Sequence, residues 1–279
     1  MTPTLKNFLQ QFTIALAAIS SAVTCIAFLF QNEANEILNS APRKSIILVT
    51  IVILCWIYSC YMNQRKTKVS FNFNPQFKLT VEKGDIFEKK GIVVIPVNEY
   101  FDTHVGDGII SPNSVHGKWI NKYFSGNIRQ LDNLISPKLL GKSHKLKTSR
   151  KSGKIQRYKL GTCIDIPIGD ITFVLMALTH FDSENHAFLK RADFALVFDK
   201  LINHLKSLQI EKPIYMPLIG TGLSRLGRSP QRILNFLVDA IDFKYSELTF
   251  PQGIHIEIYD INTVNLNDLK TYVENELTI

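Results

Sequence analysis

The chain has 279 residues, of which 46% are hydrophobic and 20% charged, and a formal net charge of +8. Its four cysteines, Cys25, Cys55, Cys60 and Cys163, form no CxxC pair and no Cys/His cluster, which excludes a disulfide framework and a structural zinc and fits a reducing compartment. Much of the basic excess lies in segment 138–159, where Tyr158 is the only aromatic residue, so a stacking platform for single-stranded nucleic acid is excluded too.

The first predicted elements are two uncharged apolar runs, Phe12–Phe30 and Ser45–Met62. At about 1.5 Å per residue each covers roughly 27–28 Å, near the hydrocarbon thickness of a bilayer. Ala17, Ala18, Ser21 and Ala22 offer a small-residue face for helix contact in lipid, and Trp56, Tyr58 and Tyr61 fall where an aromatic belt would sit. Arg65, Lys66 and Lys68 after the second run outnumber Arg43 and Lys44 in the linker 31–44. The expectation is an inner-membrane protein with two spans, residues 1–68, and with both termini and a domain at 69–279 in the cytoplasm.

That domain alternates strand and helix. Phe77–Val81, the continuous run Ile92–Val97, Gly161–Ile166, Ile171–Thr179, Ile214–Ile219 and Ile254–Tyr259 read as strands. Ala192–Leu208 is a helix with Phe194, Phe198, Leu201 and Leu205 on one face. Ser229-Pro230 is a cap followed by proline at the first helical position, and Leu266–Leu277 is the last helix. The order predicts an α/β three-layer domain around a mixed sheet.

Ligands in such folds sit beyond the carboxyl ends of the strands. The polar and glycine-rich segments fall there: Gly84-Asp85-Ile86, Asn98, Gly106-Asp107-Gly108-Ile109 and Gly220-Thr221-Gly222. Glycine loops let backbone N–H groups approach phosphates closely, and two on one sheet edge suit a diphosphate. Leu223 and Arg225 follow the second loop, and Arg225 and Arg228 are placed for phosphate. Asp102 and Asp107 are candidates for ribose hydroxyls, as are Asp182 and Glu184 from another loop. His104, His116, His180 and His186 stand in polar loops without a nucleophile beside them, so core or surface roles are the default and no catalytic residue is expected.

These segments resemble a macro domain, the ADP-ribose-binding family, from about Phe77 to Leu277 with an insertion. Gly84-Asp85-Ile86 resembles the family's opening GDI, which implies that Asp85 takes the adenine amino group. Val97-Asn98 resembles the start of its V-N-A-A-N segment, Pro217–Gly222 its second phosphate loop, and Ile258-Tyr259-Asp260 its last strand, where an aromatic residue packs near the adenosine. Asn98 is followed by Glu99-Tyr100-Phe101-Asp102, with no second Asn in the matching place. Members that hydrolyse ADP-ribosyl bonds commonly use that Asn, so the resemblance favours a nucleotide reader without cofactor or metal.

With two spans ahead of it, the domain is similar to the membrane effectors of type II Thoeris antiphage defence. That resemblance implies an ADP-ribose derivative as ligand, a histidine conjugate made by a TIR-domain enzyme. It also implies disruption of the lipid bilayer, and since two helices per protomer cannot enclose a water path, self-association on activation is expected. The alternatives are a membrane-anchored macro-domain ADP-ribosyl hydrolase and a structural adaptor. Segment 138–159 carries nine Lys or Arg and no acidic residue; it reads as a solvated face toward an anionic leaflet, a pyrophosphate clamp or, least favoured, a nucleic-acid contact.

Overall fold

The structure is a computed structural model that describes residues 3–29, 41–62, 64–182, 184–208, 211–222, 225–244, 246 and 248–276. Two apolar helices come first, α1 (Pro3–Leu29) and α2 (Ala41–Met62), packed on each other. Their large side chains face outward: Ile14, Phe28, Ile46, Leu48 and Trp56 are exposed, while Ala15, Cys55 and Ser59 are buried. Thr13, Ser21, Thr24, Thr50 and Ser59 each donate a hydroxyl to the carbonyl four residues back, which satisfies them within the helix.

Among the described residues only α1 is long and apolar enough to cross a membrane, over Phe8–Cys25. Among the described residues the apolar part of α2 is Ser45–Tyr61, shorter than the 18 residues of α1's Phe8–Cys25. Of the two expected spans, the first helix has the length and composition to cross a bilayer, and the second falls short of that length among the described residues. The linker and Phe30 lie outside the described residues except for its last turn, 41–44.

The domain is built on one mixed sheet of β1 (Lys68–Asn74), β2 (Phe77–Lys83), β3 (Ile92–Asn98), β6 (Cys163–Ile168), β7 (Ile171–Phe181), β8 (Ala187–Phe188), β9 (Ile214–Pro217) and β10 (Phe250–Ile258). The order is β1-β2-β10-β9-β3-β7-β6, with β8 on the end of β7. β2, β10, β9, β3 and β7 run parallel, and β1 and β6 are antiparallel edges. The strands are apolar on both faces because both faces are covered. Ile92 and Val94 of β3 join the core under α5 (Arg191–Ser207), α6 (Pro230–Asp242) and α7 (Leu266–Glu276). Val93, Ile95 and Val97 join the core under α3 (Val115–Phe124) and α4 (Ile128–Leu139). This is the expected three-layer architecture.

Several elements differ from the sequence expectation. β1 precedes the first strand read from the sequence: Val69 and Phe71 alternate into the core, and Gln76 N–H donates to Asn74 Oδ1 to make the hairpin turn, 2.8 Å. Helices α3 and α4 lie in a stretch with no helical reading; Ser114 caps α3 and Asn127 caps α4. β4 (His144–Leu146) and β5 (Gln156–Tyr158) form a separate two-stranded hairpin inside the basic segment.

The stem into the domain is fastened. Lys66 N–H donates to Asn267 Oδ1 at 3.2 Å, Asn267 Nδ2 donates to Gln64 O at 2.9 Å, and Arg65 Nη1 donates to Asn262 Oδ1 at 3.4 Å. β1 then starts beside Glu82, so the stem enters at the carboxyl edge of the parallel strands.

Gly117 lets α3 begin tight against the preceding turn: a Cβ there would lie 2.2 Å from Ser111 O. Within a helix, alanine is ordinarily favoured over glycine by about 1 kcal/mol. Here Gly117→Ala is expected to lower the thermal midpoint, and a raised midpoint in a melting experiment would show that the turn yields freely.

Candidate functional site

A cavity of about 800 Å³ opens at the carboxyl ends of the parallel strands. That is within the usual range for a small-molecule site. Its floor includes Asn98 and Thr179, one wall is the loop Gly106–Ile110 with the turn into α3, and the facing wall is Gly220, Thr221, Gly222 and Arg225. Phe181, Asn185 and His186 from the β7–β8 hairpin and Tyr259 beyond β10 complete the rim.

Asn98 ends β3 and is buried. Its Oδ1 accepts Tyr100 N–H at 3.0 Å and Asp102 N–H at 3.4 Å, which fixes the amide orientation and leaves Nδ2 without a partner among the described residues. An unpaired buried donor is costly, so its presence at a cavity wall is informative.

The residues after Asn98 form a buried charge cluster. Asp102 receives Arg150 through both guanidinium nitrogens, at 2.7 and 3.1 Å, and Lys154 N–H at 2.8 Å. Arg150 stacks over the Tyr100 ring at 4.0 Å and donates Nε to Asn185 Oδ1 at 2.8 Å. Glu99 accepts Arg157 at 2.8 Å, His180 Nδ1 at 2.6 Å and Phe181 N–H at 3.1 Å. Asn185 is thereby placed on the rim by the same arginine that holds Asp102.

The backbone is held in unusual conformations at the same place. Four non-glycine residues among those described have left-handed φ: Phe101, Asp107, Asn185 and Arg225. The last three line the cavity. Gly106 and Gly108 take φ of 102° and 73° with open space where a Cβ would go, so the turn demands them rather than crowding. Gly106 N–H donates to Ile110 O and Ile109 N–H to Gly106 O, both at 2.9 Å, closing the loop on itself. Such strain clusters at ligand sites.

The predicted site residues divide. Asn98, Gly106, Asp107, Gly108, Ile109, Gly220, Thr221, Gly222, Arg225 and Tyr259 line one cavity. Asp85, Ile86 and Asp102 are not on its wall. Asp85 caps a short 3-10 turn through Phe87 N–H at 2.9 Å; its neighbour Gly84 donates N–H to Ile258 O, a wall residue, at 3.1 Å. Ile86 is buried in the core, and Asp102 is taken by Arg150. Leu223 lies outside the described residues. Asp107 is 85% exposed in its side chain and pairs with His104 at 2.8 Å. Asp182 bonds its own hairpin through Glu184 N–H, His186 N–H and His186 Nδ1, and the bonds from His186 lead in lowering its pKa. Tyr259, 71% exposed, carries the Lys118 ammonium 4.7 Å from its ring.

His116, Phe181, Asn185 and His186 are wall residues that the sequence did not mark as ligand contacts. His116 is buried, and its ring lies 6.4 Å from Trp119. Glu257 also borders the cavity, under Gly84, where a Cβ would meet its Oε2. Glu82, His255 and Glu257 bring ligand atoms within 4.8 Å of one another, but Lys89 Nζ already sits 2.9 Å from Glu257 and 3.6 Å from Glu82. Burial raises the Glu82 pKa, yet bonds from Lys68 and His255 and the Lys89 charge outweigh it and bring it down to about 2. Burial raises that of Glu257 despite Lys89.

A mixed sheet between two helical layers, with glycine loops closing a cavity over its parallel carboxyl ends, is a macro-domain fold. The Oceanobacillus iheyensis macrodomain with ADP superposes with a TM-score of 0.52 at 13% identity, covering 75% of this chain and 97% of that one. The same macrodomain with MES bound gives 0.51, also at 13% identity, over 75% and 98%. The profile of the macro domain of Thoeris protein ThsA matches residues 79–259. Thoeris protein ThsA of Bacillus amyloliquefaciens (strain Y2) is 31% identical over 274 residues, 95% of this chain and 89% of that protein. The chain belongs to the Thoeris ThsA macro-domain family.

Two outcomes follow from the site's charges. Arg150→Ala strands the Asp102 carboxylate in the interior and is expected to cost about 3–5 kcal/mol in a denaturant titration; a loss below 1 kcal/mol would show the pair to be idle. Burial, with a smaller contribution from the Lys154 charge, lowers the His116 pKa from 6.5 to about 3. Between these values the unfolded chain takes up a proton that folded His116 refuses, so stability falls as pH drops from 6.5 toward 3. The slope is at most about 1.4 kcal/mol per pH unit. His116→Gln is expected to flatten the stability curve in that window, and an unchanged curve contradicts the assignment.

Proposed function

We propose that the cavity binds an ADP-ribose derivative, a histidine conjugate supplied by a TIR-domain enzyme, and that the chain is a membrane-anchored sensor and effector of antiphage defence. The observation that carries the ligand reading is the Asn98 Nδ2 donor, buried without a partner between two glycine loops. A polar group of a bound nucleotide supplies the missing acceptor. The loops Gly106–Ile109 and Gly220–Gly222 line the same cavity, with Arg225 beside the second, and are assigned to the diphosphate. Tyr259 takes the adenosine end. Asp85, off the wall but next to Gly84, whose N–H bonds the wall residue Ile258, keeps the role of base contact.

Binding without turnover is supported by the groups that a hydrolase would need. Asp102, four residues past Asn98, is occupied by Arg150 and Lys154 N–H and cannot act as a base. His116, with a pKa near 3, is a weak base at neutral pH.

The effector reading rests on α1, on the apolar outer face of α2 and on the stem. The cavity wall at Tyr259 and Asp260 continues directly into the 3-10 turn Ile261–Thr263 and α7, whose Asn262 and Asn267 hold Arg65, Lys66 and Gln64. A ligand that shifts this turn reaches the stem within a few residues. Two helices per chain cannot enclose a water path, so disruption of the bilayer requires self-association. The ligand drives it only by binding the assembled state more tightly.

In calorimetry of the full chain in detergent, Asn98→Ala is expected to weaken the conjugate by roughly 10- to 150-fold, and chromatography should return the nucleotide intact. Catalytic conversion contradicts the sensor reading. Asn267→Ala should keep binding and blunt ligand-driven growth in oligomer size; equal assembly with and without Asn267 removes the stem from the mechanism.

A further inference from the structure

The basic segment is not one uniform charged loop. Arg150, Lys154 and Arg157 are used internally, on Asp102, Asp132 and Glu99. Lys138, Lys142, Lys145, Lys147, Lys151 and Lys159 are exposed and have no carboxylate partner among the described residues. Apolar side chains are exposed among them: Leu140 at 80%, Leu146 at 63% and Ile155 at 43%. Leu146 and Ile155 lie on and beside the β4–β5 hairpin, whose strands pair with each other and with no other strand. A lone two-stranded hairpin is marginal in water, and here its inner end is anchored, since Tyr158 N–H donates to Glu99 O at 2.8 Å.

That anchor places the hairpin. Glu99 follows the carboxyl end of β3, and the stem enters beside the carboxyl end of β2. Both therefore leave the sheet at the same edge. From β1 to β3 there are four strand spacings, about 19 Å. The edge that carries the membrane helices also carries exposed leucines surrounded by unpaired lysines.

We propose that the β4–β5 hairpin is a second membrane contact: its lysines bind anionic phospholipid headgroups and Leu146 enters the interface. The inference rests on reading α1 and α2 as the membrane anchor. The occupant follows from charge complementarity and position. A soluble polyanion would use the lysines and leave Leu140, Leu146 and Ile155 in water. A neutral protein surface would use the leucines and leave six cations unpaired. An anionic leaflet uses both, and the stem holds one within reach. The contact would set the domain with its cavity edge toward the bilayer, so that a shift at the cavity acts between two fixed points, the stem and the hairpin.

The test uses the full chain in vesicles of phosphatidylcholine, with or without phosphatidylglycerol, made with phospholipids brominated near the headgroup end of their chains. The native Trp56 in α2 reports insertion of the anchor. Leu146→Trp in a Trp56→Phe background reports the hairpin, and Trp119, fully buried, is common to both. Expected is quenching of Trp56 in both lipids, and quenching of the introduced indole only with phosphatidylglycerol and only at low salt. Each basic side chain near an anionic leaflet is worth roughly fivefold in binding. Lys142→Glu, Lys145→Glu and Lys147→Glu together should therefore return the introduced indole to its neutral-lipid signal and, in the chain that keeps Trp56, leave the Trp56 signal unchanged. Quenching of Trp56 without quenching at position 146 in anionic lipid overturns the proposal and spares the anchor. Quenching at neither position overturns both. A response at position 146 to RNA but not to anionic vesicles assigns the lysines to nucleic acid and overturns the proposal as well.

Discussion

The Asp102 carboxylate, almost fully buried, is bound by both arms of Arg150, and the site depends on that contact. Asp102 stands four residues after Asn98 and gives its own N–H to the Asn98 side chain. Arg150 stands at the far end of the basic excursion and reaches Asn185 on the β7–β8 hairpin. One ion pair therefore ties the end of β3, the basic segment and the outer rim of the cavity. An isolated buried pair gains little over apolar packing, but losing one partner is expensive. The pair acts as a clasp: it permits one arrangement of three loops and penalises others.

The clasp also distinguishes this chain from the pattern it resembles. A small-residue run after the strand-end Asn would leave that segment open to a ligand. Glu99, Tyr100, Phe101 and Asp102 instead fill it with buried side chains, each held by the basic segment or by β7. What is left for a ligand is the Asn98 amide, the two glycine loops and the rim. That fits recognition, where a shape must be held, rather than hydrolysis, where a base and a water must be free.

Much of this was legible in the sequence. The parallel core strands are continuous apolar runs, so β3, β7 and β9 could be read directly, and strand ends followed by Asn98, Gly106 and Gly220 marked the cavity edge. Asp102 was misread as a ribose contact because its partner lies 48 residues away, in a segment whose charge looked like solvated surface. Helices α3 and α4 escaped although the sequence carries their pattern: Trp119, Ile120 and Phe124 are buried on α3, and Leu131, Ile135 and Leu139 recur every four residues on α4. His116 escaped with them, since only the packing of α3 shows that it is buried and lines the cavity. The second apolar run read as a span from Ser45 to Met62, and among the described residues its apolar helix covers Ser45–Tyr61.

The central claim is that a ligand of ADP-ribose type occupies the cavity at the carboxyl edge and orders the loops that enclose it. Hydrogen exchange of the full chain in detergent, with and without ADP-ribose, addresses it most directly. The account predicts new protection in Gly106–His116, in 217–222 and at Asn185–Ala187, with little change in β1 or the far ends of α4 and α5. Unchanged exchange at both glycine loops, or protection confined to the lysines around Lys142 and Lys159, would contradict it.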